Sequence, residues 1–209
     1  MPRGAAPQPG PLPARANGFV TFGSLNTLAK ISDATVTAWA EILRRLPQAK
    51  LLVRRGGLSS ALARNALAAR FGVHGIAPDR LVLRADGTHL AAYQEIDIAL
   101  DTFPYNGTTT TCEALWMGVP VVTWLGERRS ARVSASLLQA TGLSELIGDS
   151  VSAFVAIAVE LADNLERLET LRATLRERMA ASPLCDPVGF ARAVETALRD
   201  AWRRWCRAG

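Results

Sequence analysis

Short apolar runs alternate along the chain with longer stretches in which apolar residues recur every three or four positions. The short runs are typical of buried strands and the longer stretches of amphipathic helices. Predicted strands occupy residues 19–24, 50–55, 81–84, 96–101 and 119–124, and predicted helices occupy residues 32–46, 59–71, 89–95 and 109–117. This alternation over short connections predicts an α/β fold with a Rossmann-like parallel sheet covered by helices.

Two further apolar stripes at helical spacing predict a helical C-terminal extension after about residue 130. The first stripe lies within residues 154–168 and the second within residues 190–205. The second stripe ends in Trp202 and Trp205, and we expect these two indole rings to dock against the core of the domain.

The first 18 residues differ in composition from the rest of the chain. They hold five of the 11 prolines, which predicts a disordered leader or linker. The segment has no apolar stretch typical of a secretory signal. The predicted folded domain is therefore residues 19–209.

No apolar run along the sequence approaches the roughly 20 residues that span a bilayer.

Ligands of such a sheet bind beyond the carboxyl ends of the strands, near the switch in strand order. We therefore expect function to reside in the loops 23–32, 84–89, 102–112 and 125–132.

Four consecutive threonines, residues 108–111, precede the helix that starts near residue 109. A helix start presents unpaired N–H groups and the positive end of the helix dipole, so threonine hydroxyls beside it predict a phosphate cradle. Glu113, one turn further, is placed to accept hydrogen bonds from ribose hydroxyls. An alternative interpretation is a capping box, in which Thr110 and Glu113 only satisfy the helix start.

Two basic side chains follow other predicted strands. Lys30 is one of only two lysines, and its flexible ammonium can reach a pyrophosphate at the helix starts, with Asn26 and Thr27 beside it. His89 follows the third strand, where an imidazole can stack on a base or bind a phosphate. The alternatives are a solvated lysine before a helix and a surface histidine at a helix start.

Charge and cysteine content narrow the function classes. The net charge is +5 at 209 residues, but the arginines are scattered among helical stretches, which favours solvated helix faces over nucleic-acid binding. Cys112, Cys185 and Cys206 form no CxxC pair and, with the two histidines, no metal-ligand spacing. We therefore expect no metal site, no disulfide framework and a cytoplasmic location.

The stretches FGSLNTLAKI, IDIALDTFPYNGTTTTCEALWMGVPVVT, RVSASLL and ASPLCD occur in this order. Together they resemble the catalytic region of O-linked N-acetylglucosaminyltransferases of the SPINDLY type, over residues 18–207. The resemblance implies a B-type glycosyltransferase fold with two Rossmann-like lobes, of which this chain is similar to the C-terminal, donor-binding lobe. It also implies inverting transfer of a sugar from UDP-N-acetylglucosamine to Ser or Thr of proteins, without a catalytic metal or other cofactor.

The same resemblance assigns roles to individual residues. Thr27 and Lys30 match residues that contact the donor diphosphate, and Lys30 would stabilise the leaving group. Thr108, Thr109 and Thr110 match the helix start that contacts the phosphates. Glu113 stands at the position of an acidic residue on the ribose, and His89 matches the histidine beside the nucleobase.

Two departures from the family pattern leave alternatives open. The loop RADGTHL is shorter than the family pattern, and no segment corresponds to an N-terminal lobe or to tetratricopeptide repeats. We therefore expect a fragment that is incomplete for catalysis on its own. The alternatives are a non-catalytic nucleotide-binding module or truncated gene product, and a GDP-fucose donor.

Overall fold

The computed structural model describes residues 6–208, so the first five residues of the predicted leader and Gly209 lie outside the described residues. Its centre is a six-stranded parallel sheet of order β3-β2-β1-β4-β5-β6. The strands are β1 (Thr21–Ser24), β2 (Lys50–Arg54), β3 (Leu81–Arg84), β4 (Ile98–Leu100), β5 (Val121–Trp124) and β6 (Ile147–Gly148). The predicted parallel sheet is confirmed. Sequence analysis missed β6, because a two-residue strand has no apolar run of its own.

The described residues form eight helices. They are α1 (Pro13–Asn17), α2 (Asp33–Arg45), α3 (Ala61–Gly72), α4 (Thr109–Trp116), α5 (Val133–Ala140), α6 (Val151–Asp163), α7 (Leu165–Ala181) and α8 (Pro187–Ala208). Helix α2 packs against α3 and α6, and α4 packs against α5 and α7, while the consecutive helices α6 and α7 also contact each other. Two groups are expected, because right-handed crossovers change face where the strand order reverses beside β1. No helix among residues 6–208 is long and apolar enough to cross a membrane.

Helix α2 fixes the segment that follows β4. Ser32 caps α2 by accepting a hydrogen bond from the Thr35 N–H at 3.1 Å. The Ser32 and Thr35 hydroxyls both donate to the Phe103 carbonyl, at 2.6 and 2.9 Å. One turn on, the buried Trp39 indole donates to the Asp101 carbonyl at 3.3 Å. The Ser32 cap and the buried face of α2 therefore also hold the loop after β4.

The predicted disorder of the leader is wrong for residues 6–18. Leu12 and Ala14 are buried, and residues 13–17 form α1. The Ala14 N–H donates to the carboxylate of Asp97 at 2.9 Å, and the Thr21 N–H donates to the same carboxylate at 2.8 Å. Proline content predicts disorder only when nothing supplies partners to the backbone, and here a buried side chain does so.

Helix α8 forms as predicted, but its apolar stripe does not dock. Trp202 and Trp205 are 63% and 69% exposed, and Phe190 is 69% exposed. The two indole rings stack on each other with centroids 5.3 Å apart. The prediction that they belong to the core is wrong, because helical periodicity identifies an apolar face without identifying what covers it.

The guanidinium of Arg172 connects the leader to the sheet from α7. It donates to the Gly10 carbonyl and to the Ile96 carbonyl, each at 2.8 Å, and its side chain is buried. Burial lowers the pKa of Arg172, and the nearby Asp97 carboxyl opposes that shift. The position therefore combines desolvation of a charge with several charge-assisted hydrogen bonds.

Replacing Arg172 by methionine tests this connection. We expect Arg172→Met to lower the free energy of unfolding by about 1.5–3 kcal/mol, because buried carbonyls lose a charged donor. Urea unfolding measures the loss. Arg178→Met is the matched control on the exposed side of the same helix and should unfold like the wild type. Equal stability of the two variants would show that residues 6–18 are not held by this side chain.

Candidate functional site

The site is built around the carboxylate of Asp101 at the end of β4. One of its oxygens accepts hydrogen bonds from the N–H groups of Thr102, at 2.9 Å, and Gly107, at 2.7 Å. The other accepts from the Thr123 hydroxyl of β5 at 2.7 Å. Burial raises the pKa of Asp101, and these donors oppose the shift. The carboxylate thereby closes the loop 102–107 into a fixed turn.

Gly107 completes this turn where α4 begins. A Cβ at Gly107 would lie 2.6 Å from the Thr110 hydroxyl oxygen and 2.7 Å from that of Thr111. Only glycine allows the backbone to approach the threonines this closely. The Gly107 carbonyl accepts from the Ser134 hydroxyl at 3.0 Å, which ties the turn to α5.

The start of α4 has no side-chain cap. Thr108 is the N-cap residue and makes no capping hydrogen bond, and the Thr110 hydroxyl donates to the Asn26 side-chain oxygen at 2.8 Å. Glu113 instead lies 2.6 Å from the Nε2 atom of His89. The capping-box interpretation of Thr110 and Glu113 is therefore wrong, and the first N–H groups of α4 are left without a side-chain acceptor.

Lys30 reaches the same turn from the loop after β1. A 3₁₀ turn at residues 28–30 begins with the Lys30 N–H donating to the Thr27 carbonyl at 2.9 Å. The Lys30 ammonium donates to the Asn106 carbonyl at 2.8 Å and lies 4.1 Å from the centroid of the Tyr105 ring. Burial lowers the pKa of Lys30, and the charge of Asp101 opposes that shift. The ammonium is thus held in place with donor capacity left over.

His89 and Glu113 form a pair at the other end of the site. The Nδ1 atom of His89 lies 3.4 Å from the Arg54 guanidinium, which also donates to the carbonyls of Asp86, at 2.6 Å, and Gly87. Arg54 therefore fixes the short loop that carries His89. Glu113 is buried, so its carboxylate and the imidazole orient each other.

All seven residues predicted for the site line one cavity of about 440 Å³, although their roles in binding stay a prediction. The cavity lies at the carboxyl ends of the strands where the strand order reverses between β1 and β4. Its lining is Asn26, Thr27, Lys30, Arg55, His89, Tyr105, Thr108, Thr109, Thr110 and Glu113.

Sequence reasoning missed two members of this lining as site residues, Arg55 and Tyr105. Arg55 directly follows β2, so the rule that ligands bind beyond strand ends was a usable signal for it. Tyr105 lies in the predicted functional loop 102–112, but no sequence pattern predicts the direction in which an aromatic side chain of a loop points.

A second cavity of about 320 Å³ adjoins the first and shares Thr108, Thr109 and Glu113 with it. The rest of its lining is mostly apolar and includes Cys112 and Trp116. Burial raises the pKa of the Cys112 thiol. Within residues 6–208 no three His, Cys, Asp or Glu side chains are grouped closely enough to hold a metal ion.

The anchoring role of Asp101 is testable by comparing two substitutions. We expect Asp101→Ala to lower the free energy of unfolding by about 1–3 kcal/mol or more, because two buried N–H groups lose their acceptor. Asp101→Asn keeps one oxygen for those N–H groups and should cost less. Urea unfolding of both variants gives the comparison, with Asp79→Ala as an exposed control. An alanine variant as stable as the control would remove Asp101 from this role.

Known proteins are similar to this chain in sequence. The family profile described as Glycosyl transferase family 41 matches residues 11–194. The probable UDP-N-acetylglucosamine--peptide N-acetylglucosaminyltransferase SPINDLY of Oryza sativa is 41% identical over 208 residues, which is 96% of this chain and 22% of that protein. A UDP-N-acetylglucosamine--peptide N-acetylglucosaminyltransferase of Caenorhabditis elegans is 32% identical over 190 residues, covering 89% of this chain and 16% of that protein. The chain thus spans about a fifth of the length of these relatives.

Solved structures agree with this relationship. An O-GlcNAc transferase mutant from Thermobaculum terrenum superposes with a TM-score of 0.85 at 38% identity, over 96% of this chain and 39% of that one. Anabaena HepE, solved in complex with UDP and glucose, has a TM-score of 0.58 at 15% identity, over 88% of this chain and 49% of that one, and shares the fold alone. The fold is that of one lobe of a B-type glycosyltransferase with a helical C-terminal end. The chain belongs to glycosyl transferase family 41.

Proposed function

We propose that this chain binds the nucleotide-sugar donor of a protein O-glycosyltransferase, with UDP-N-acetylglucosamine as donor and Ser or Thr hydroxyls as acceptors. The observation that carries the proposal is the uncapped start of α4, which faces the Lys30 ammonium across one cavity. Unpaired N–H groups, threonine hydroxyls and a cation in one place are the donors that a diphosphate needs.

In the proposed complex the diphosphate lies between Lys30 and the threonines at the start of α4. During transfer the acceptor hydroxyl oxygen attacks the anomeric carbon and gives its proton to a base, for which no residue of this chain is proposed. The bond from that carbon to the diphosphate oxygen breaks. The bonding electron pair goes to the leaving phosphate, whose negative charge rises. Lys30 and the α4 N–H groups stabilise that charge, since they are held in place before the reaction begins.

The nucleoside end lies toward the pair formed by His89 and Glu113. The Glu113 Oε2 atom faces the imidazole, 2.6 Å from Nε2. Each carboxylate oxygen can accept more than one hydrogen bond, so Glu113 keeps capacity for a ribose hydroxyl. His89 also contacts Tyr93 edge to face, with ring centroids 6.2 Å apart. An imidazole oriented from two sides is a suitable platform for a nucleobase.

The names of the relatives support the donor and the acceptor class. The relatives from Oryza sativa and Caenorhabditis elegans are both named as UDP-N-acetylglucosamine--peptide transferases. Since the chain corresponds to only 22% of the former, we propose donor binding as the activity of these 209 residues. Complete transfer then requires a second lobe, as in B-type glycosyltransferases, and a protein acceptor.

Calorimetric titration with UDP tests this proposal. We expect Lys30→Ala to weaken UDP binding about 10- to 150-fold, because a charge-assisted hydrogen bond contributes about 1.5–3 kcal/mol. Lys50→Ala is the matched control. Lys50 is the only other lysine, and it lies at the start of β2, at the opposite end of the sheet from the cavity.

Two results of this titration would contradict the proposal. One is a folded wild-type chain that binds no UDP, and the other is equal affinity in Lys30→Ala and Lys50→Ala. Competition with GDP tests the donor base separately. Tighter binding of GDP than of UDP would reassign the base to guanine and leave the diphosphate contacts in place.

A further inference from the structure

Arg55 is a second cation in the proposed donor cavity, and no motif singled it out. It follows β2 directly, is half-buried and lines the cavity together with Lys30 and His89. Its backbone is fixed on both sides: the N–H donates to the Arg84 carbonyl at 3.1 Å, and the carbonyl accepts from the Leu58 N–H at 2.8 Å. The sheet therefore fixes the backbone from which the side chain enters the cavity.

The neighbouring arginine shows what Arg55 lacks. The Arg54 guanidinium is engaged by the loop carbonyls of Asp86 and Gly87 and by His89. Among residues 6–208 the Arg55 guanidinium has no hydrogen bond or ion pair with any other group. A guanidinium offers five donors, and these remain available inside the cavity.

The charges that face Arg55 are mostly of the same sign. Lys30 lies near enough that the charge of Arg55 lowers the pKa of the ammonium. The one carboxylate in the cavity lining, Glu113, is engaged by His89. Two cations that share a cavity repel each other, and an anion placed between them removes that repulsion.

The strand order indicates where that anion lies along the donor. Strand β2 lies between β1, whose loop carries Lys30, and β3, whose loop carries His89. In the proposed function, on which this inference rests, Lys30 faces the leaving phosphate and His89 faces the base. Because Arg55 follows the strand between them, it lies between the leaving phosphate, which is attached to the sugar, and the base.

We propose that Arg55 binds the donor phosphate attached to the nucleoside, while Lys30 and the start of α4 bind the phosphate attached to the sugar. Arg55 then contributes to the affinity for any nucleotide that carries at least one phosphate. Lys30 contributes mainly to the affinity for nucleotides that carry two phosphates. Recognition of the nucleotide and stabilisation of the leaving group are thus assigned to different side chains.

Ligands that carry two phosphates, one phosphate or none test this assignment. The full 209-residue chain is titrated with UDP and UMP by calorimetry and with uridine by ligand-observed NMR, at one fixed ionic strength. We expect Arg55→Gln to weaken the binding of UDP and of UMP by about tenfold or more and to leave the binding of uridine unchanged. Lys30→Ala should weaken the binding of UDP much more than that of UMP. Arg55→Lys keeps the charge and should recover part of the affinity.

Arg44→Gln is the matched control, since it removes the same charge from an exposed arginine that pairs with Glu41 on α2. It should bind all three ligands like the wild type. Thermal unfolding of each variant checks the fold, and Arg55→Lys carries the test if Arg55→Gln does not fold.

Two outcomes would overturn the inference alone. One is affinity of Arg55→Gln for UDP and UMP within twofold of the wild type, while Lys30→Ala still loses UDP. The other is an equal loss for uridine, which would show that Arg55 shapes the cavity without binding phosphate. A folded wild-type chain that binds no UDP overturns the proposed function, and this inference with it.

Discussion

The buried carboxylate of Asp101 holds together the segment on which the site depends. It accepts from the N–H groups at both ends of the loop 102–107 and from the Thr123 hydroxyl of the next strand. From the other side, the Ser32 and Thr35 hydroxyls bind the carbonyl of Phe103. The start of α4 is therefore fixed relative to β4, β5 and α2 together. Removing a carboxylate from water is costly, and these donors offset that cost.

The cavity at this turn collects positive charge. Lys30 and Arg55 bring two positive charges to it, and the helix dipole adds partial positive charge at the start of α4. Burial of the ammonium lowers the pKa of Lys30, and the positive charge of the nearby Arg55 lowers it further. Fixed donors in a half-buried pocket act on an anionic ligand with less screening than in bulk water. A ligand with two adjacent negative charges fits this arrangement.

Family membership and the site support each other but answer different questions. The likeness to solved structures at 15% identity shows only that the architecture is shared, and one fold supports many functions. The match across residues 11–194 shows the family. The proposed function therefore rests on the site: the uncapped helix start, the ammonium of Lys30 and the pair of His89 and Glu113.

The sequence by itself determined five of the six strands, the helices between them and the loops that form the site. Apolar periodicity is a local property, so it predicted the first five strands and the helix over residues 32–46. The threonine cluster and Lys30 follow strand ends, and the topology of a parallel sheet brings such positions together. The family resemblance, carried by long motifs, was confirmed.

Only the tertiary structure decided which polar groups meet across long separations. Glu113 pairs with His89, 24 residues away, rather than with its own helix start. The leader is held by Asp97, 83 residues from Ala14, and by Arg172, 162 residues from Gly10. Such partners leave no periodic signal, because a hydrogen bond depends on position in space and local spacing does not encode it. For the same reason, the sequence identified the apolar face of α8 without deciding what it contacts.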